Sequence, residues 1–228
     1  MKRIFIAAII LLLVCSGCGM FQTRDDLPAY ELASEGMENF EAGSYRKAIE
    51  SFQKLKDWYP FSKYAILAEL KTADAYFNLG EYEEAIFAYE EFENLHPLNE
   101  ATSYVVYQIG ICYFNQIDSI DRDQTVAKKA LDTFNRLIKQ FPKDAYARRA
   151  ELHVKKCLQS LSGHEYYVGL YYYKKKHYSA ALSRFKTVIT DYPDVGIHRK
   201  ALEYITLCET SLKNDEKPKE ELDTYIEN

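Results

Sequence analysis

The chain has 228 residues, of which 47% are hydrophobic and 28% charged, and its formal net charge is −5. That length is enough to bury a sizeable core. The chain has no recognisable nucleic-acid reader motif, which argues against DNA or RNA as a partner.

The chain begins with a predicted bacterial lipoprotein signal peptide, residues 1–17. Two basic residues precede an apolar run at 4–14, which is too short to span a bilayer as a mature helix. Small residues then precede Cys18 as in a lipobox, although Cys15 stands where leucine is usual. We expect acyl chains such as palmitate on Cys18 to anchor the mature protein, and Gly19 fits export to the outer membrane. An ordinary cleaved signal with an incidental cysteine is the alternative.

After a predicted lipidated tether at 18–27, Pro28 opens the first helix. From there an internal repeat follows, in which a helical pattern ends with a large ring and a proline: Tyr59-Pro60, His96-Pro97, Phe141-Pro142 and Tyr192-Pro193. Twelve residues before each proline is an alanine, followed four residues later by a ring: Ala48 and Phe52, Ala85 and Tyr89, Ala130 and Phe134, Ala181 and Phe185. Such repeats resemble tetratricopeptide repeats. We therefore predict an all-α, tetratricopeptide-type helical-hairpin solenoid of about ten helices in five pairs, which forms a binding surface.

The first hairpins superimpose at a shift of 37 residues, which aligns Gly36, Ala73 and Gly110 as points of close helix approach. The same shift aligns Gly43 with Gly80 in the predicted turn of each hairpin. Later prolines are 45 and 51 residues apart. This predicts a polar loop at 116–124, an additional helix at 144–161, a break at Ser162-Gly163 and a last helix at about 196–212. We expect the tail, 214–228, to be frayed or only partly helical.

Charge divides the chain into two predicted halves, 28–123 and 124–213. Residues 19–123 hold 8 Lys/Arg against 20 Asp/Glu, whereas residues 124–213 hold 17 against 8. Such a field steers partners without determining the fold. The basic half predicts an acidic protein surface or anionic lipid as its partner.

Periodicity in the first helix of each hairpin predicts a concave face that carries many apolar side chains. Its positions are Tyr30, Ala33, Met37, Phe40, Leu67, Leu70, Asp74, Phe77, Tyr104, Tyr107, Ile111 and Phe114. Exposed apolar grooves bind peptides, with rings as anchors. The alternative is that longer helices close the groove and these residues belong to the core.

Two features of the basic half are candidates for docking. Tyrosines crowd the stretch 166–173 next to three lysines, and they fit either a partner surface or packing between hairpins. Arg184 should point outward, where its guanidinium is either solvated or able to hold a carboxylate by two bonds.

No catalytic set is recognisable, and the histidines show no metal-binding spacing. Asp118, Asp121 and Asp123 are not followed by an EF-hand loop. The cysteines after Cys18 are far apart and are read as buried small hydrophobes, with one disulfide left open: Cys112, Cys157 and Cys208. We therefore expect a non-enzyme without a cofactor or metal.

Five features occur together in chain order: the lipobox, an acidic tether, Tyr59-Pro60-Phe61-Ser62-Lys63-Tyr64, the Asp121-Arg122-Asp123 loop and Asp191-Tyr192-Pro193-Asp194. That set resembles the BamD (ComL/YfiO) family of lipoproteins from about residue 18 to residue 212, with a shorter Asp121 loop than well-known members have.

The resemblance implies a lipid-anchored scaffold of outer-membrane β-barrel assembly, facing the periplasm. Its basic half would bind the POTRA domains of BamA, with Arg184 matching the family arginine that pairs with an acidic residue, and with Tyr172 and Lys175 beside it. Its acidic half would bind unfolded barrel proteins, and other lipoproteins of the complex are further partners. A different tetratricopeptide lipoprotein, which coordinates cell-wall or division-site proteins, is the second hypothesis, and a wall hydrolase is the third.

Overall fold

The structure, a computed structural model, describes residues 28–226, with side chains to residue 214. This part of the chain is all α-helical and forms nine helices. They are α1 (Ala29–Glu41), α2 (Tyr45–Trp58), α3 (Ala65–Leu79), α4 (Tyr82–Leu95), α5 (Thr102–Asn115), α6 (Thr125–Gln140), α7 (Ala145–Lys174), α8 (Tyr178–Thr190) and α9 (His198–Ile226). The predicted helical-hairpin fold is confirmed.

The chain divides into two compact units, and the boundary between Ala75 and Tyr76 lies inside α3. In the first unit, Phe52 packs into a core with Leu32 and Leu55. In the second unit, one core forms around Phe134 and another around Phe185. Three of the four rings that follow a repeat alanine thus lie in these cores, and all three are 0% exposed.

Each of these rings packs against a glycine of the preceding first helix. A Cβ added to Gly36 would lie 2.3 Å from Phe52 Cε1, and one added to Gly110 would lie 2.4 Å from Phe134 Cε1. Real Cβ atoms do not approach so closely, so the ring occupies the volume that a side chain would need. The aligned small residues therefore permit close packing of the two helices of a hairpin, as predicted.

The hairpin turns also follow the sequence. Gly43 ends the turn after α1 with φ 72°, and Gly80 occupies the same place after α3 with φ 75°. This left-handed conformation strains any residue with a Cβ, which explains why glycine recurs at the shift of 37 residues.

The predicted break at Ser162-Gly163 is wrong. Both residues are buried inside α7, which runs unbroken for 30 residues, so the described chain has nine helices instead of ten. The 116–124 loop packs against this part of the helix: a Cβ on Gly163 would lie 3.4 Å from Ile120 Cγ2, an ordinary van der Waals contact. Ser160 Oγ also donates to Gln124 Oε1 at 2.8 Å. The loop is therefore folded onto the middle of α7.

The tail is more helical than predicted, since α9 continues to Ile226 and includes Pro218. Proline inside a helix removes one backbone hydrogen bond, and the surrounding Glu and Lys residues favour helix. Across residues 28–226, none of the helices combines the length and the apolar character that crossing a membrane requires.

Candidate protein-binding surfaces

Arg184 lies on α8, turned away from the core that Ala181, Phe185 and Val188 form on the same helix. Its side chain is 44% exposed. Nη1 donates to Glu165 Oε2 of α7 at 2.8 Å. That hydrogen bond raises the pKa of Arg184 above its ordinary value, so the side chain is a permanent cation. The sequence does not predict Glu165 as the partner of Arg184, because 19 residues separate the two and only the packing of α7 on α8 joins them.

Tyr172 and Lys175 lie at the carboxyl end of α7. Lys175 is exposed and caps the helix through its backbone N–H, which donates to the carbonyl oxygens of Tyr171 and Tyr172. Tyr172 is half-buried, and its ring centre lies 6.4 Å from that of His177.

An open depression of about 720 Å³ adjoins this end of α7. Tyr172 lines it together with Lys176, His177 and Leu212, whereas Lys175 does not. Lys176 adopts φ 63°, an unusual conformation for a residue with a side chain. Lys176, one residue after the predicted Lys175, is therefore the lysine that borders the depression. Helical periodicity does not predict where the side chain of a turn residue lies.

Glu165 also borders a smaller hollow, of about 300 Å³. The hollow is lined by the Asp121-Arg122-Asp123 loop, His164 and Tyr192. A backbone hydrogen bond of 2.9 Å from Thr125 to Asp123 Oδ1 helps hold the loop. The structure thus places the Asp121 loop and the Tyr192 segment, which lie far apart in sequence, beside the carboxylate that holds Arg184.

The predicted groove positions of the first unit differ in exposure. Tyr30 is 57% exposed and Leu67 is 38% exposed. Met37, Phe40 and Leu70 are half-buried. The face of this unit therefore keeps apolar side chains at the surface while part of the same stripe contributes to its core.

A lysine lies beside the apolar stripe of the first unit. Lys71 Nζ lies 4.9 Å from the ring centre of Phe40 and 2.8 Å from Asp74 Oδ2. Asp74 is buried, and the ion pair compensates part of the cost of its burial. The three-residue spacing of Lys71 and Asp74 is a sequence signal that could have identified the pair.

In the second unit the predicted positions Phe77, Tyr104, Tyr107 and Phe114 are all half-buried. The rings on α5 pack against the first half of α7: the ring centres of Tyr104 and Tyr146 lie 5.4 Å apart. This α5 stripe is therefore partly covered by the additional helix.

His153 of α7 is central to this packing. Its Nε2 lies 3.2 Å from the hydroxyl of Tyr107, and its ring centre lies 4.7 Å from Phe114 and 5.2 Å from Phe134. Its Nδ1 is buried without a hydrogen-bond partner. Burial and then the charge of Lys156 lower the pKa of His153, which favours the neutral ring.

Cations also stand over the rings of this unit. Arg149 lies 5.4 Å from the ring centre of Tyr146, and Lys156 Nζ lies 5.8 Å from that of Phe114. A ring with a cation at this distance is stabilised electrostatically. The ring-bearing surface is thus bordered by positive charge, which the apolar periodicity did not indicate.

Cys18 lies outside the described residues. Within the part that the structure describes, no three His, Cys, Asp or Glu side chains are placed to hold a metal ion. Cys112, Cys157 and Cys208 are buried free thiols.

Residues 25–223 match the model of a protein family described as YfiO, outer membrane lipoprotein. The chain belongs to the YfiO family. The match includes the predicted groove positions, Arg184 and the Asp121 loop, so both candidate surfaces lie within the family region.

The relatives that match the chain include proteins named outer membrane protein assembly factor BamD. The protein from Rickettsia prowazekii is 31% identical over 194 residues, which covers 84% of this chain and 77% of the relative. The protein from Neisseria gonorrhoeae is 30% identical over 241 residues, which covers 98% of this chain and 89% of the relative.

Among solved structures, this YfiO member resembles the TPR2AB domain of yeast Sti1, which was solved in complex with pHSP90. The TM-score is 0.46 at 17% identity, and the match covers 81% of this chain and 70% of that chain.

Proposed function

We propose that the chain is a scaffold lipoprotein of the outer-membrane β-barrel assembly (BAM) complex. The observation that carries the proposal is the family match over residues 25–223, together with relatives named BamD that cover most of the chain. In this role the protein binds a POTRA domain of BamA and unfolded barrel proteins, facing the periplasm at the outer membrane. It acts by binding and not by catalysis.

The docking of BamA is assigned to Arg184, Tyr172 and Lys175. A guanidinium has five N–H donors, and Nη1 is the donor bonded to Glu165, so other donors remain for a second carboxylate. Residues 124–213 hold 17 Lys/Arg against 8 Asp/Glu, and this positive balance supports an acidic partner surface.

The docking assignment is tested by Arg184→Glu with recovery of BamA in a pull-down. Lys186→Glu is a matched control, because Lys186 is two residues along the same helix and 53% exposed. We expect the Arg184 variant to lose BamA and the Lys186 variant to keep it. Unchanged recovery with Arg184→Glu would remove Arg184 from the docking surface.

The holding of unfolded barrel segments is assigned to the ring-bearing positions. Tyr30 and Leu67 supply exposed apolar surface, and the cations beside Phe40 and Phe114 suit a segment that combines aromatic and acidic groups. Photo-crosslinkers at Tyr30, Phe77 and Tyr107 should capture a barrel carboxy-terminal peptide. A crosslinker at Phe61, which is fully exposed, controls for chance encounters. Equal labelling at Phe61 and at the three test positions would contradict the assignment.

The anchor is assigned to Cys18. The lipobox and the short apolar run before it support this assignment. Labelled palmitate should enter the protein and should be absent from a Cys18→Ser variant, which should also leave the outer-membrane fraction. Labelling that survives in the variant would contradict the site.

The cellular role is tested by depletion. If the protein serves barrel assembly, many outer-membrane barrels should disappear together. Intact barrels combined with co-purification of wall enzymes would instead favour a role in cell-wall coordination.

A further inference from the structure

Two helices of the second unit carry the same surface pattern with opposite charge. In each helix, charged pairs lie three and four residues before and after a central apolar residue. On α4 the pattern is Glu83-Glu84, Phe87 and Glu90-Glu91, and on α7 it is Arg148-Arg149, Leu152 and Lys155-Lys156. Residues three and four apart in a helix are neighbours on one face, so each pattern forms one continuous patch.

Both patches are exposed. Phe87 is 71% exposed and Leu152 is 70% exposed, and all eight flanking charged residues are exposed as well. A single exposed apolar side chain is ordinary on a protein surface. An apolar centre inside four like charges on two helices, with identical spacing and opposite sign, is the observation that needs an explanation.

The positive charges of the α7 patch are not neutralised within residues 28–214, where none of its four cations forms an ion pair. Arg148 donates to the backbone oxygen of Lys143 at 3.0 Å. Arg149 and Lys156 stand over the rings of Tyr146 and Phe114. Their charge therefore remains available to an external carboxylate.

We propose that the α7 patch docks the α4 patch of a second copy of this chain. Phe87 would pack against Leu152, and the glutamate pairs would face the arginine and lysine pairs. The occupant is inferred from the match in sign, spacing and central residue. Neither patch includes Arg184, Tyr172 or Lys175, so the inference does not rest on the proposed docking of BamA.

The size of the contact sets its strength. Each patch spans nine residues, or roughly 12 Å of helix, and one such helix pair buries well under the roughly 1,000 Å² of a stable interface. The association is therefore weak and depends on salt. Because each molecule carries both patches, the contact can form twice across a two-fold axis or once per neighbour in a head-to-tail array, and both arrangements join α7 of one copy to α4 of another.

Isotope-resolved crosslinking tests the contact directly. The full chain, purified in detergent, is prepared with natural nitrogen and with ¹⁵N, and the two are mixed and treated with a zero-length carbodiimide crosslinker. We expect mixed-isotope peptides that join Lys155 or Lys156 to glutamates of α4. If the α7 and α4 peptides are joined only within one isotope, or not at all, the proposal is overturned.

Charge exchange provides the second test. Arg148→Glu with Lys155→Glu reverses two of the four α7 charges, and Glu83→Lys with Glu90→Lys reverses two of the four α4 charges. Each patch then has no net charge, and Arg149 and Lys156, which contact rings, are unaltered. In sedimentation experiments each variant alone should lose at least tenfold in association, and an equimolar mixture of the two should regain it. Circular dichroism confirms that both remain folded. A mixture no better than the separate variants would contradict the pairing.

Salt and the apolar centre complete the test. Raising the salt from about 0.1 M to about 1 M shortens the Debye length from about 10 Å to about 3 Å and should weaken the wild-type association at least tenfold. Leu152→Asn removes the apolar centre without changing charge and should weaken it as well. Association that is indifferent to both changes would show that these patches do not meet.

Discussion

Arg184 and Glu165 form an ion pair between α8 and α7, with 2.8 Å between Nη1 and Oε2. The carboxylate is 17% exposed and the guanidinium is 44% exposed, so the acid is the more buried partner. The arginine that we assign to docking is thus already oriented by an acid of its own chain. A carboxylate from another protein must join this pair or displace it.

Substituting Glu165 distinguishes these two cases. Glu165→Gln removes the competing charge and keeps an oxygen acceptor, so we expect affinity for a purified acidic POTRA domain to rise roughly 1.4-fold to fivefold, which corresponds to about 0.2–1 kcal/mol for a partly exposed pair. Biolayer interferometry measures the change. A fall in affinity would instead show that Glu165 is needed to position Arg184.

Substituting Gly110 tests the packing of the hairpins. Gly110→Ala introduces a Cβ 2.4 Å from Phe134 Cε1, and overpacking of this kind costs about 1–3 kcal/mol. Urea unfolding should show this loss. In a Phe134→Leu background the ring is gone, so the same alanine should be neutral or stabilising, because alanine favours helix over glycine by about 1 kcal/mol. The same loss in both backgrounds would refute the steric explanation.

His153 should make stability depend on pH. The unfolded chain takes up this proton near the ordinary pKa of 6.5, whereas burial lowers the pKa in the folded state. Its contribution is therefore complete above about pH 6.5 and declines as the pH falls toward the folded pKa, because the unfolded state then binds more protons. His153→Phe keeps a ring and does not titrate, so its melting temperature should fall less on acidification. Parallel falls for both proteins would exclude His153 as the cause.

The buried thiols should resist alkylation in the folded protein. Burial raises the pKa of Cys112 to about 12 and that of Cys157 to about 11, and both side chains are 0% exposed. Only the thiolate reacts, and little of it forms at neutral pH. Iodoacetamide followed by peptide mass spectrometry should modify both residues only after denaturant is added. Prompt labelling of the native protein would mean that the core opens readily.

Much of the fold could be predicted from local sequence patterns. The repeat alanine, the ring four residues later and the small residue on the preceding helix are properties of single helices, and the structure places them together around Phe52, Phe134 and Phe185. The break predicted at Ser162-Gly163 failed because small residues permit both a turn and close packing. At Ser162-Gly163 the 116–124 loop, which is distant in sequence, packs against the continuous helix through Ser160 and His164.

The candidate surfaces were less predictable for the same reason. Periodicity assigns a face to each residue, but it cannot pair Arg184 with Glu165 or Tyr107 with His153, because these contacts join different helices. It also gave the concave stripe as apolar, because the lysines that lie over Phe40 and Phe114 come from other helices.

The unbroken course of α7 has a consequence for how its two ends can vary. A helix of 30 residues extends about 45 Å and rotates by about 100° with each residue. Inserting or deleting one residue near Gly163 would turn the patch around Leu152 by that angle relative to Tyr172 and Glu165. A flexible joint between two helices would absorb such a change. In an unbroken helix, only substitutions that preserve its length keep both ends in their present orientation. The orientation of the patch around Leu152 relative to the surface with Tyr172 and Glu165 is therefore fixed by the length of α7.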